Sequence, residues 1–220
     1  MKKSVFGGFV FLALCGVVHA QLPAVDRTDD QQWTDIQIAV PMTKTVDFNA
    51  LGTLRLGRDI THPVDERIGV GFTFRFGKYL TVAPNYLHIG MQPFEGRRIW
   101  ENRLTLPVTV RFNLEKFRLS DRNQVERRMR NSGLRSTRYR NRFQVEHPIG
   151  PDDMKLSLFV ADEVFYESIL HRWSRNRFTV GATKVFNTHY TQDIYYTRQN
   201  DGISIPGDLN VIGATVRLRL

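Results

Sequence analysis

The stretch RYRNRFQVEH, residues 138–147, carries a charged or amide side chain at every even position and mostly an apolar one between. Arg138, Arg140 and Arg142 alternate with Tyr139, Asn141, Phe143 and Val145. Helical spacing would scatter the three arginines around a cylinder. A strand sets them on one face, because successive side chains point to opposite sides. The segment therefore reads as a strand with one basic face. Whether that face meets water, phosphate or a barrel interior decides the function.

The same period runs through nearly all of the chain after Trp33. TDIQIAVPM alternates at Ile36, Ile38, Val40 and Met42, and RIGVGFTFRF at Ile68, Val70, Phe72, Phe74 and Phe76. WENRLTLPVTVRF sets Trp100, Leu104, Leu106, Val108, Val110 and Phe112 against Glu101, Arg103, Thr105, Thr109 and Arg111. The C-terminal IGATVRLRL does the same. No segment offers a convincing helical period, so the protein is expected to be all-β.

The opening MKKSVFGGFVFLALCGVVHAQ has a basic start, an apolar run and the small-residue site Val18-His19-Ala20. It reads as a secretory signal over residues 1–20, with a lipoprotein signal at Cys15 disfavoured by the bulky Leu14 before it. Removing it takes away Lys2, Lys3 and the single cysteine, so the net charge falls from +9 to +9 − 2 = +7. The exported chain has no thiol and can form no disulfide. No later run approaches the ~18 apolar residues of a helical span.

Short turns are expected at Gly77-Lys78, Asn113 to Lys116, Pro148 to Asp153 and Asn187-Thr188. Longer polar links are expected at Arg58 to Glu66, Met91 to Arg98, Arg128 to Ser136, Glu167 to Ser174 and Gln199 to Asp208. Alternation of short and long connections, with aromatics near strand ends, is the pattern of an outer-membrane barrel. The expected fold is an antiparallel transmembrane up-and-down β-barrel over residues 33–220, after a polar segment at 21–32. Eleven candidate strands can be read from the chain. Bacterial barrels normally have an even number, so about twelve strands are expected, with ten as the alternative.

WENRLTLPVTVRF, RYRNRFQVEHPI, LFVADEVFYE and RNRFTVGATKVF, taken in that order, resemble the strand signatures of domain-of-unknown-function family 2490. The similarity runs from Trp33 to Leu220. It implies a barrel in the outer membrane of a Gram-negative bacterium, reached through the periplasm, and brings no established activity.

If the apolar residues face lipid, the lumen is lined by Glu101, Arg103, Arg111, Arg118, Arg122, Glu126, Arg138, Arg140, Arg142, Glu146, Glu163 and Arg177. Arginine stays charged and pairs with carboxylates in two-pronged fashion. The glutamates could brace the arginines and close the lumen, as side chains fill most small barrels. Surplus arginines could instead line a path for small anions, since arginine rings favour anions in pores. The outward Asn102, Asn123, Asn141, Asp162 and Asn176 are expected near the outer-leaflet head groups. Arg127, Arg128, Arg130 and Arg135 form a basic loop that could hold lipopolysaccharide phosphates, or simply be solvated.

Other chemistry finds little support. His88 has no serine beside it, and His171 with Ser174 lacks an orienting acid, so no catalytic residue is assigned and a lipid-modifying activity ranks third. No metal-ligand spacing and no cofactor motif occurs. Tyr139 and Phe143 lie opposite the arginines rather than among them, which argues against nucleic acid. Oligomeric state is not legible.

Overall fold

A computed structural model describes residues 27–220, so the expected signal at 1–20 lies outside the described residues. They form β1 (Thr28–Pro41), β2 (Val46–Gly57), β3 (His62–Phe76), β4 (Leu80–Val82), β5 (Asn85–Phe94), β6 (Arg97–Leu114), β7 (Phe117–Arg130), β8 (Arg135–Ile149), β9 (Leu156–Glu167), β10 (Arg172–Val185), β11 (Tyr190–Asp201) and β12 (Asp208–Arg219). Apart from β4 and β5, which both lie between β3 and β6, each strand pairs with its chain neighbours, and β12 returns to β1, which closes the wall. The protein is an all-β closed barrel.

The expectation of about twelve strands holds, with a distinction that explains the parity problem. β4 and β5 fill successive lengths of the same gap between β3 and β6. The register does not slip across the break: Phe74 faces Val82 and Gly71 faces Asn85. Only Pro84 interrupts the ladder, since its nitrogen has no hydrogen to donate. Among the described residues the wall therefore has eleven positions built from twelve strands. An odd wall cannot be antiparallel throughout. The exception is the seam, where β1 and β12 run parallel from Thr28 beside Asp208 to Ala39 beside Arg219. The wall begins at Thr28, ahead of the Trp33 boundary read from the alternation.

The sidedness of the strands inverts that of a soluble protein. Ile68, Leu104, Leu106, Phe112, Phe178 and Ile212 are exposed on the outside, while Glu101, Arg103, Glu126 and Glu163 are buried within. An apolar exterior around a polar interior is the arrangement a lipid solvent selects, because a closed barrel leaves no backbone group unpaired in hydrocarbon. Some inward rings need small neighbours across the ladder. Gly213 is one: a Cβ there would come within 2.2 Å of the Tyr195 ring opposite.

The contrast of short and long connections is not borne out. Residues 58–61, 95–96, 131–134, 168–171 and 202–207 join strands at one end, and 42–45, 77–79, 115–116, 150–155 and 186–189 at the other. The polar stretches expected as long loops mostly continue the strands, because the backbone ladder needs no apolar side chains beyond the lipid band. The two ends are called here the loop end and the turn end.

Candidate functional site

Period two places most of the charged residues of β6 to β10 inward, and cross-strand register turns them into a network. Glu126 faces Arg138 across β7 and β8. Its carboxylate meets Arg138 at 2.5 Å, Arg140 at 2.9 Å and Arg103 at 3.7 Å, and accepts from the Gln124 amide. Glu101 takes Arg103 at 2.6 Å, Arg128 at 3.0 Å and Arg130 at 3.1 Å. Glu163 takes Arg122 at 2.8 Å and Arg140 at 2.7 Å. Each carboxylate is thus shared by two or three guanidinium groups, and each lies behind them, away from the open lumen.

That open space has two chambers. One of about 330 Å³ sits at the loop end, against Arg103, Arg128, Arg130, Arg138 and Arg175. Another of about 740 Å³ sits at the turn end, against Arg111, Arg118, Arg122, Arg142 and Arg217. Trp33, Arg55, Arg67, Arg140 and Arg177 line both, so they form the waist between them. Arg55 lies over the Trp33 ring at 3.8 Å and Arg177 over it at 4.7 Å. Buried Phe165 has Arg138, Arg140, Arg175 and Arg177 within 5.4 Å of its centre. Guanidinium planes stacked on rings keep position without spending hydrogen-bond donors. Neither chamber is lined by Glu101, Glu126 or Glu163.

The model of a family described as a protein of unknown function, DUF2490, matches residues 30–205. The chain belongs to this family. No curated protein matches it. Among solved structures it is similar to an anion-selective porin from Comamonas acidovorans, at 11% identity and TM-score 0.41, over 80% of this chain and 54% of that one. It is also similar to the NanC porin, at 13% identity and TM-score 0.47, over 83% of this chain and 93% of that one. The chain thus spans about half the length of the first of these.

In this DUF2490 barrel the twelve residues expected in the lumen all point inward. Glu101, Arg103, Glu126, Arg138, Arg140, Glu163 and Arg177 are in or beside the central network. Arg111, Arg118, Arg122, Arg142 and Glu146 line the turn-end chamber. The basic loop requires a correction. Arg128 and Arg130 lie in β7 and bind Glu101 from within, so they are not surface groups free for lipopolysaccharide. Both share the inward parity of Glu126, which their polar neighbours obscured. Arg127 and Arg135 are exposed, Arg127 donating to Thr137 Oγ1 at 3.1 Å.

Sequence reasoning missed much of the waist. Arg55 and Arg67 sit on mainly apolar or glycine-rich strands, and Trp33 lies where the alternation had only begun. Asp65 holds Arg67 at 2.5 Å, and Asp201 holds Arg175 at 2.5 Å. Aromatic Phe165 is inward because it shares the parity of Glu163, a signal that was available. Outside, Asn102 Oδ1 lies 2.8 Å from both Tyr86 OH and His88 Nδ1, and His88 stacks on Trp100. Asn141 donates to Asp121 and Asn123, and Asn176 to Asp162. These amides are therefore satisfied by polar neighbours on the outer wall. Among the described residues no three His, Cys, Asp or Glu side chains gather as a metal site.

Proposed function

We propose that this protein is a non-enzymatic outer-membrane barrel of a Gram-negative cell, exported through the periplasm, whose lumen passes small anionic solutes. One observation carries the reading: the buried glutamates stand behind the arginines, so arginines far outnumber the carboxylates that face either chamber. Fixed guanidinium groups around a narrow aqueous space attract anions and repel cations. Arg127 and Arg135, exposed near the loop end, are available to phosphates of outer-leaflet lipopolysaccharide.

A second reading is favoured by the waist itself. Trp33 with Arg55 and Arg177 stacked on it could shut the lumen, leaving a structural barrel braced by ion pairs. Planar-bilayer recording of refolded protein under a salt gradient separates the two. Discrete steps with an anion-selective reversal potential support the path. Silence from demonstrably folded protein, together with steps once Trp33→Ala removes the ring, supports the plug.

A further inference from the structure

We propose that the turn-end chamber holds a tetrahedral dianion, phosphate or the phosphoryl group of a small solute, between Arg111, Arg122 and Arg142. The inference rests on the anion-path reading and adds the ligand's chemical class to it.

Arg122 and Arg142 are direct partners across β7 and β8, both facing the chamber. Like charges directly opposite one another destabilise a sheet. The acid that should relieve them does so incompletely. Glu163 faces Arg142 across β8 and β9. Its Oε1, however, accepts from Arg122 Nη2 at 2.8 Å and Arg140 Nη2 at 2.7 Å. Arg142 donates to Gln144 Oε1 at 3.2 Å and has no ion pair among the described residues.

Arg111 stands diagonally from Arg122, since Thr109 is the residue facing Arg122. Long side chains reach across such a diagonal. The Arg111 hydrogen bond within the protein goes to Thr81 Oγ1 at 2.9 Å, and it too has no ion pair among the described residues. The Nε of Arg122 is buried and has no hydrogen-bond partner. Nearer the turn end of the same chamber arginines are matched one to one: Arg118 with Glu146, and Arg217 with Asp193 at 2.5 Å. The cluster is therefore short of negative charge: Arg111 and Arg142 have no ion pair among the described residues, and Arg122 shares Glu163 with Arg140.

Three guanidinium groups on three adjacent strands offer donors from several directions. A planar carboxylate uses one fork and brings one negative charge. A phosphoryl group presents three oxygens and carries roughly −1.5 to −2 at neutral pH, which suits both the geometry and the charge. A fixed acid at this place would have neutralised the cluster for good. Leaving it unmatched keeps the site for an exchangeable anion.

Isothermal calorimetry on the refolded full-length barrel in detergent, at constant ionic strength, tests this with inorganic phosphate, glycerol phosphate and acetate. Saturable binding of phosphate, with acetate failing to compete, is expected. Arg142→Gln should weaken it about tenfold or more, the share of one charge-assisted contact, without lowering the unfolding midpoint. Glycerol phosphate binding alike would mark phosphorylated solutes as ligands; its failure would confine the site to the free ion. Equal binding of acetate, or Arg142→Gln binding like the parent, overturns the proposal, as does no saturable heat from folded protein. Phosphate binding in a protein that passes no current leaves the site standing and removes the path. Current without phosphate binding does the reverse.

Discussion

Glu126 and Arg142 lie on the same inner wall and should respond oppositely to neutralisation. Glu126 is fully buried under three arginines, so Glu126→Gln leaves Arg138, Arg140 and Arg103 facing one another. Removing one partner of a buried ion pair costs about 3–5 kcal/mol. Urea unfolding of the refolded barrel in lipid vesicles should show a loss of that order, and Arg140→Gln, which strips both Glu126 and Glu163, a similar one. Arg142→Gln removes a charge opposed to Arg122 and should leave stability within about 1 kcal/mol or raise it. Equal losses at Arg140 and Arg142 would show that the register-based assignment of paired and unpaired arginines is wrong. At this scale the sequence was informative where charge and parity coincided, as from Arg138 to Glu146. It was silent at Arg55 and Trp33, whose strands carry too little alternating charge to mark an inner face.

At the scale of the elements, strand existence was legible because period two survives any register. Two features depend on long-range pairing and were not. The break at Pro84 divides one wall position into β4 and β5, and nothing local says that both halves face the same neighbours. The parallel β1–β12 seam is likewise set by closure, since eleven positions leave first and last strands pointing the same way. Asn210 donates to Asp30 Oδ1 at 2.9 Å across that seam, which puts their side chains within reach of cross-linking. An Asp30→Cys and Asn210→Cys double variant should form an intramolecular disulfide under mild oxidation, since residues 27–220 carry no competing thiol. The read-out is a faster-migrating band on a non-reducing gel. Efficient cross-linking instead between β12 and a strand outside β1 and β11 would refute the closure.

For the whole molecule, an odd wall separates its two ends. Arg27 lies at the loop end, where its carbonyl accepts from Gly207 and Asp208 and its guanidinium donates to Asp201 O. Arg219 lies at the turn end, its amide donating to His189 O. An even antiparallel barrel would place both on one side of the membrane, and this one places them on opposite sides. The polar extensions of β6 to β8 beyond the apolar band are at the loop end, which is the end expected outside the cell, with the turns in the periplasm. Single cysteines introduced at Arg27 and at exposed Ile169 should therefore both react with a membrane-impermeant maleimide on intact cells. Cysteines at Lys116 and Leu220 should react only after the outer membrane is opened. If Arg27 and Ile169 are both protected while Lys116 and Leu220 label, the barrel is inverted but its topology stands. If Arg27 labels with Lys116 and apart from Ile169, β1 runs the other way and the parallel seam is excluded. The larger chamber then gains its physiological meaning from the same experiment. With the turns inside, the Arg111, Arg122 and Arg142 cluster opens toward the periplasm, beyond the waist for any anion that enters from outside.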